Sequence, residues 1–240
     1  MAVVTTKAIV FNSLKYGDTS LIVRCFTLKE GLKSYMVKGV LSSKKRSIKA
    51  AYFQPLTQLQ IEANHNNKGK LNSFKEVRVI HLYKEIHTSI FKQTIVLFLA
   101  EVLSESVKEE EANPQLFSYL ETAFSWLDTH SKTANFHLLF LLNLTRYLGF
   151  YPDTSNASNS CFNLIDGNFT EHISRKESIF GKELTLFKTL LGINFDKIES
   201  IKFSKSERQQ LLQILIKYFE LHLEGFRRPK SLEILQTVFT

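Results

Sequence analysis

The stretch TKAIVFNSLKYGDTSLIVRCFTLKEGLKSYMVKGV, residues 6–40, contains three short runs of β-branched and aromatic residues with turn sequences between them. The runs are TKAIVFNSL, LIVRCFT and KSYMVKGV, and the turn sequences are KYGDTS and LKEGL. Val, Ile, Phe and Thr are typical of strands, whereas Gly and Asp are typical of turns. The stretch therefore predicts three strands that follow one another closely along the chain.

Two further strands are predicted after Pro55, in TQLQIEA (57–63) and LNSFKEVRVI (71–80), with the turn cluster NHNNKGK between them. Five short strands over residues 1–80 suit a small closed barrel. The five-stranded oligonucleotide-binding (OB) barrel is the most common solution of that size. We therefore predict that residues 1–80 form an OB-fold nucleic-acid-binding domain.

Near Tyr83 the spacing of apolar residues changes from two residues to about 3.6 residues, and the second spacing is typical of helices. Residues 81–240 are therefore predicted to form an all-α domain, which makes the whole chain a multidomain α+β protein. Residues 151–176 lose the helical spacing and are rich in Asn and Ser. We expect an irregular insertion there.

Cap residues mark the beginnings of two of the predicted helices. Asn113 and Pro114 stand where an N-cap and a first helical residue are expected, and Ser204 and Glu207 have capping-box spacing. These signals predict helices that begin near residues 114 and 205.

The net charge of +8 is concentrated in the predicted barrel. Residues 1–80 carry 14 Lys and Arg against 4 Asp and Glu, whereas residues 81–240 carry 17 against 19. A protein that is merely soluble would spread its charge. The asymmetry points to nucleic acid, an anionic membrane surface or an acidic protein as a partner.

The loop sequence VKGVLSSKKRSIKAAYF, residues 37–53, holds the densest group of cations and contains no acidic residue. Five unpaired cations cannot be buried, so they are exposed, either as a solvated loop or as a phosphate-binding surface. Single strands are bound by positively charged grooves with exposed rings on which bases stack. The candidate DNA-binding residues are Lys38, Lys44, Lys45, Arg46 and Lys49, with Arg24 and Lys33 as secondary phosphate contacts and Tyr35 as a stacking ring.

No sequence motif for catalysis, secretion or membrane insertion is present. The chain lacks a phosphate-binding P-loop, an H-E-x-x-H pair and a G-x-S-x-G elbow, so we expect no enzymatic activity. The most apolar run, residues 136–144, is too short to span a membrane, and Cys25 and Cys161 do not form a disulfide framework. We therefore expect a cytoplasmic, nucleoid-associated protein that does not bind membranes.

The N-terminal third resembles the RecO family of bacterial DNA repair and recombination mediator proteins. The resemblance rests on KYGDTSLIVRCFTLKEG, MVKGVLSSKKR and YFQPLTQLQI, in that order and spacing. It implies binding of single- and double-stranded DNA and annealing of complementary strands coated by the single-stranded-DNA-binding protein. It also implies RecR as a partner and, indirectly, RecA, which is loaded onto the coated DNA.

The sequence departs from the family pattern after YLGFYP (147–152), which resembles the segment leading into the family's zinc module. Many members continue with two C-x-x-C pairs, whereas this chain has Cys161 alone, with Asp153, Asp166 and His172 near it in sequence. Structural zinc takes four N or S ligands at close spacing. We therefore expect no cofactor and a reduced, metal-free, zinc-finger-like loop region.

Two other functions and one other surface stay open from the sequence. The basic barrel could dock an acidic protein as an interaction scaffold without binding DNA, and a metal nuclease would require clustered carboxylates. A second basic group, formed by Arg227, Arg228 and Lys230, either interacts with the dipole of the preceding helix or extends the DNA-binding surface.

Overall fold

The computed structural model describes residues 2–42, 48–66, 71–108, 111–171 and 177–238. Contacts within the chain divide it into two compact units, Met1–Asp128 and Thr129–Thr240. The change from strands to helices follows residue 79, but the first unit continues beyond it and includes the first two helices.

Five antiparallel strands in the order β3-β2-β1-β4-β5 form the sheet of the first unit, as the sequence predicts. The strands are β1 (Ala2–Tyr16), β2 (Ser20–Thr27), β3 (Gly31–Val37), β4 (Gln58–His65) and β5 (Ser73–Val79). Together with the helices that follow, they confirm the predicted fold class.

Asn72 joins the two edge strands of this sheet, β3 and β5. Its backbone N–H donates to the carbonyl oxygen of Ser34 at 3.0 Å, and its carbonyl oxygen accepts from the N–H of Met36 at 2.8 Å. The buried side chain adds two hydrogen bonds, because Nδ2 donates to the same Ser34 oxygen at 3.1 Å and Oδ1 accepts from the N–H of Asn66 at 2.8 Å. This residue therefore closes the sheet into a barrel, which leaves fewer unpaired strand edges.

Strand β1 bends so that its first half pairs with β4 and its second half pairs with β2, with a bulge at Phe11. A bulge increases the local twist and bends the strand, which a small closed barrel requires. The N–H of Val10 donates to the carbonyl oxygen of Thr57 at 3.0 Å, and the carbonyl of Val10 accepts from the N–H of Leu56 at 2.7 Å. Both backbone groups of Val10 are therefore hydrogen-bonded beside the bulge.

Three stacked rings form the aromatic part of the barrel core. The Phe74 ring lies parallel to Tyr35, with ring centroids 4.2 Å apart, and to Phe53, with centroids 5.6 Å apart. Phe53 ends a short 3₁₀ helix, Ala50–Phe53. Aliphatic side chains from β1, β2 and β4 complete the core: Val10, Leu21, Val23, Leu59 and Ile61.

Helices α1 (Ile90–Ser106) and α2 (Pro114–Thr129) follow the barrel. The side chain of Asn113 accepts from the N–H of Leu116 at 2.9 Å, which confirms the predicted cap. Phe26 of β2 packs against Phe117 of α2 with ring centroids 6.0 Å apart. This contact covers one end of the outer side of the sheet.

The buried carboxylate of Asp128, near the end of α2, fixes the segment before α1. It accepts hydrogen bonds from the backbone N–H groups of Lys84, Glu85 and Ile86 at 2.9–3.0 Å. Burial raises the pKa of Asp128, but these three hydrogen bonds and the nearby Lys92 ammonium outweigh burial, so the pKa lies below its ordinary value. The charged form therefore stabilises this segment.

The second unit is mainly helical. Ser204 Oγ accepts from the N–H of Glu207 at 3.2 Å, and the Glu207 carboxylate accepts from the N–H of Ser204 at 2.8 Å, which confirms the predicted capping box. Helix α3 is buried on almost every side. The helices are α3 (Phe136–Tyr147), α4 (Gly181–Lys188), α5 (Phe195–Ile198), α6 (Lys205–His222) and α7 (Leu232–Val238).

The segment predicted to be irregular, residues 151–176, contains two strands of a small antiparallel sheet whose third strand follows it, so that prediction is wrong in part. Strands β6 (Cys161–Asn163), β7 (Asn168–Thr170) and β8 (Ser178–Phe180) pair in the order β7-β6-β8. Each strand has three residues, which is too short for an alternating pattern to stand out in the sequence.

The small sheet is attached to α6 by aromatic packing and two hydrogen bonds to backbone carbonyls. Phe162 contacts Tyr218 with ring centroids 6.0 Å apart. Tyr218 Oη donates to the carbonyl oxygen of Phe150 at 2.9 Å, and His222 Nε2–H donates to the carbonyl oxygen of Leu164 at 2.8 Å. Side chains of one helix therefore hold the backbone at Phe150, which precedes the sheet in the chain, and at Leu164, which lies between β6 and β7.

We predict that Asn72→Ala lowers the free energy of unfolding by about 1–2 kcal/mol, because the partly buried N–H of Asn66 loses its acceptor and the Ser34 carbonyl loses one of its two donors. Urea unfolding of the whole chain measures this loss. Ser73→Ala, at the exposed neighbouring position, is the matched control and should change stability little. Equal stability of the two variants would contradict the role of Asn72 in barrel closure.

We also predict a pH dependence for Asp128→Asn. Because the folded chain holds the pKa of Asp128 below its ordinary value of 3.8, the carboxylate adds stability above about pH 4 and this contribution is lost as the pH falls further. The variant should be about 1–3 kcal/mol less stable at pH 7, and the difference from the parent chain should shrink below pH 4.

Thermal unfolding from pH 7 to pH 2.5 tests this, with Asp18→Asn, at an exposed turn residue, as the control. A difference between Asp128→Asn and the parent that stays constant with pH would contradict the prediction.

Candidate nucleic-acid interface

The two ends of the basic loop lie at one end of the barrel. Lys38 follows β3 and Lys49 precedes the 3₁₀ helix, and both side chains are exposed. Neither ammonium group forms an ion pair with a carboxylate in the described ranges. The predicted contacts Lys44, Lys45 and Arg46 lie outside the described residues.

Tyr35 is not a stacking ring, which corrects the prediction made from the sequence. Its side chain is fully buried, packs on Phe74, and donates from Oη to Nε2 of His65 at 2.8 Å. His65 in turn donates from Nδ1 to the Glu30 carboxylate. Burial raises the pKa of Tyr35 above its ordinary value. The ring belongs to the core and no base can reach it.

The two secondary phosphate contacts are partly buried and interact within the fold. The Arg24 guanidinium donates to the carbonyl oxygen of Ser104, near the end of α1, at 3.3 Å. Lys33 lies opposite Cys25 in the register and therefore on the side of β3 that faces the barrel interior, and it has an interaction of its own. Neither residue is left as an exposed cation beside Lys38.

Three other cations of the barrel are neutralised by acidic residues. Their N···O distances are 2.9, 3.6 and 2.6 Å, all short enough for ion pairs. The uneven charge of the sequence is therefore partly compensated locally. The pairs are Lys7 with Glu121, Lys75 with Glu62, and Arg78 with Glu76.

One side of the sheet stays open at the Tyr16 end, and we call it the outer barrel face. Leu14 pairs with Ile22, which pairs with Met36, so these three side chains form a row on the side away from the core. Leu14 is 62% exposed and Tyr16, two residues further on, is 56% exposed. The face therefore presents apolar side chains and one aromatic ring to solvent.

Lys38 lies at the same end of the sheet as Tyr16. The N–H of Gly39 donates to Oγ of Ser20 at 3.3 Å, and Ser20 pairs with Tyr16 in the register of β1 and β2. The structure thus brings together a cation and an exposed ring, as single-strand binding requires. The ring is Tyr16 and not the predicted Tyr35.

The alternation within the strands does not identify this arrangement from the sequence. In β3 the charged Lys33 has the same parity as the buried Tyr35, whereas the apolar Met36 has the parity of Ser34. In β1 the bulge at Phe11 interrupts the alternation of inward and outward side chains, so the sequence pattern alone does not show that Tyr16 points outward.

Comparison with known families matches both halves of the chain. The model named Recombination protein O N terminal matches residues 1–83, and the model named Recombination protein O C terminal matches residues 87–233. The chain belongs to the recombination protein O family.

Relatives in this family match the chain over nearly its whole length. It is 50% identical to the DNA repair protein RecO of Flavobacterium psychrophilum over 237 residues, which is 99% of each chain. It is 50% identical to the DNA repair protein RecO of Christiangramia forsetii and 35% identical to that of Bacteroides fragilis (strain ATCC 25285), in both cases over 98% of each chain.

Two of the residues near Cys161 that could serve as metal ligands bind other groups of this chain. Asp153 accepts from the N–H and Oγ of Ser155 at 2.9 and 2.6 Å, and Asp166 accepts from Nδ2 of Asn163 at 2.5 Å. Cys161 is buried in the central strand of the small sheet, and His172 lies outside the described residues. The described donors therefore do not fit a four-ligand site.

The second basic group has a structural role in one of its members. The Arg228 guanidinium binds both carboxylate oxygens of Glu220 on α6, at 2.5 and 3.2 Å. This ion pair favours the interpretation that the group stabilises the end of the helix over the interpretation as a DNA-binding surface, because one cation is already neutralised. Lys230 is exposed.

Two classes of site do not occur in the parts of the chain that the structure describes. They contain no group of three or more His, Cys, Asp or Glu side chains that could hold a metal ion. The described helices also include none with both the length and the hydropathy needed to cross a lipid bilayer.

We predict that Tyr16→Ala weakens binding of a single-stranded oligonucleotide about fivefold or more, because one stacked base contributes about 1–3 kcal/mol. The salt dependence of binding should not change, since no charge is removed. Fluorescence anisotropy measures both. Phe91→Ala, which removes a half-exposed ring on α1, is the control, and equal affinities of the two variants would contradict a role for Tyr16.

Proposed function

We propose that this protein is a non-enzymatic DNA repair and recombination mediator that binds DNA through the outer barrel face and the basic loop. The observation that carries the proposal is the juxtaposition of exposed Tyr16 with Lys38 at one end of an OB-type barrel. Membership of the recombination protein O family and relatives named DNA repair protein RecO support it.

The activity follows from charge neutralisation and stacking. Phosphate groups contact Lys38, Lys49 and the loop between them, while bases stack on Tyr16 and the apolar row beside it. Binding of single- and double-stranded DNA at one cationic surface lets two polyanions approach, which promotes annealing of complementary strands. No bond is made or broken in this process, so neither a catalytic group nor a metal is needed.

The protein partners belong to the same proposal. Annealing acts on strands coated by the single-stranded-DNA-binding protein, and RecR joins this chain in loading RecA onto the coated DNA. In the second unit, we propose that the small sheet works without zinc, because packing against Tyr218 and hydrogen bonds from α6 already hold it.

A salt series with charge-matched double variants tests the proposal. Lys38→Ala with Lys49→Ala removes two exposed cations, whereas Lys7→Ala with Lys75→Ala removes two cations that are ion-paired with Glu121 and Glu62. Only the first pair should make the slope of log K against log salt shallower, by about 1.4 for a single strand.

A third variant, in which Lys44, Lys45 and Arg46 become Glu, should bind DNA more weakly and anneal strands less well, with little change in the thermal midpoint. No binding of any oligonucleotide by the parent chain at low salt would overturn the proposal. That result would favour a scaffold that docks an acidic protein. Cleavage of DNA by the parent chain with a divalent ion would overturn its non-enzymatic part.

A further inference from the structure

A cavity of about 580 Å³ opens at the edge of the barrel, between the end of β3 and the beginning of β5. Its volume lies within the range of small-molecule sites. Its walls are mainly apolar, with a cation among the lining residues. The lining residues relevant here are Met36, Lys38, Val40, Ile48, Leu71 and Phe74.

The floor of the cavity is rigid because Phe74 is held in a stack of rings. Its ring lies parallel to Tyr35 on one strand and to Phe53 on the 3₁₀ helix. Val40 and Ile48, near the two ends of the basic loop, pack against the same core. The cavity is therefore preorganised by the barrel and does not require a partner to form.

The rim of the cavity continues into the outer barrel face. Met36 belongs to the apolar row of that face and also lines the cavity. Lys38, at the Tyr16 end of the sheet, lines the cavity as well. Leu71, on the opposite side of the opening, is 42% exposed. A strand whose backbone contacts Lys38 therefore has an apolar surface on one side and a cavity on the other.

We propose that this cavity receives one unstacked nucleobase of a bound single strand. The inference rests on the proposed function and adds a site that distinguishes single strands from duplexes. A planar base matches a mainly apolar cavity with an aromatic floor, while the attached phosphate lies at the Lys38 ammonium. An apolar peptide side chain would fit the walls, but it would leave the cation at the rim without a phosphate.

Two properties follow from the site. A base in a duplex must break its pair and its stack before it can enter, whereas a base in a single strand loses only its stacking, so the cavity favours single strands. The apolar walls contact ring faces that all bases share, so the site has little sequence preference.

The test compares two leucines with the same substitution. Leu71→Ser removes part of the cavity wall, and Leu82→Ser changes a leucine that is 82% exposed and does not line the cavity. Neither variant alters charge. Binding is measured by fluorescence anisotropy with three ligands: a 20-nucleotide oligo(dT), a 20-nucleotide strand in which every site is abasic, and a 20-base-pair duplex. A length of about 20 nucleotides is enough to cover one or two OB modules.

We expect Leu71→Ser to bind oligo(dT) about three- to tenfold more weakly than the parent chain, with the same salt slope, since apolar contact and not charge is lost. Abasic and duplex ligands should not distinguish the variants. An oligonucleotide with 2-aminopurine should change its emission less with Leu71→Ser than with Leu82→Ser. Equal thermal midpoints of the two variants exclude loss of folding as the cause.

Two results would overturn the inference and leave the proposed function intact. One is salt-sensitive binding of oligo(dT) that is the same for Leu71→Ser and Leu82→Ser. The other is an acidic peptide ending in phenylalanine whose binding is lost in Leu71→Ser while binding of oligo(dT) is not. Absence of binding to all three nucleic acids by the parent chain would overturn both.

Discussion

The bridge that Asn72 makes between β3 and β5 is the constraint on which the candidate site depends. Three backbone or side-chain hydrogen bonds from this residue join the two ends of a five-stranded sheet. Once the sheet is closed, the rings of Tyr35 and Phe74 are enclosed, and the ends of the basic loop pack at the opening of the barrel. Without closure, β3 and β5 would remain free edges, and the cavity between them would not exist.

The cations of the barrel fall into two groups, which the composition of the sequence does not distinguish. Lys7, Lys75 and Arg78 are paired with acidic residues, and Arg24 binds a carbonyl near the end of a helix, so the charges of these residues are engaged within the fold. Lys38 is exposed, and no carboxylate of the described ranges pairs with it. Because Lys38 lies beside Tyr16 and the apolar row, its positive charge is at the outer barrel face.

In the second unit, the small sheet has three strands of only three residues each, and it needs other contacts to stay folded. Such short strands make few ladder hydrogen bonds, and small modules of this kind usually need a metal or a disulfide. Here Tyr218 and His222 of α6 bind the backbone carbonyls of Phe150, before the sheet, and Leu164, between β6 and β7, and Phe162 packs against Tyr218. Gly167 is required at the same place, because its φ is +65° and a Cβ there would lie 2.6 Å from Tyr218 Oη.

The five strands, the cap residues and the family could be predicted from the sequence, because each depends on local patterns or on motifs in order along the chain. Asn113 and Ser204 accept the hydrogen bonds that their positions predict. The small sheet was not predicted, because a strand of three residues is too short to show the two-residue alternation of side chains.

Which aromatic ring faces solvent and which cations stay exposed depend on contacts between residues that are distant in sequence. Tyr16 and Tyr35 both lie in strands, but the bulge in β1 and the closure through Asn72 place one outside the barrel and the other inside. Likewise, Arg24 and Lys38 have similar neighbours in sequence, yet the carbonyl of Ser104 lies within reach of Arg24 alone of the two. These outcomes depend on residues that are distant in sequence, since a side chain's exposure is fixed by what packs against its strand.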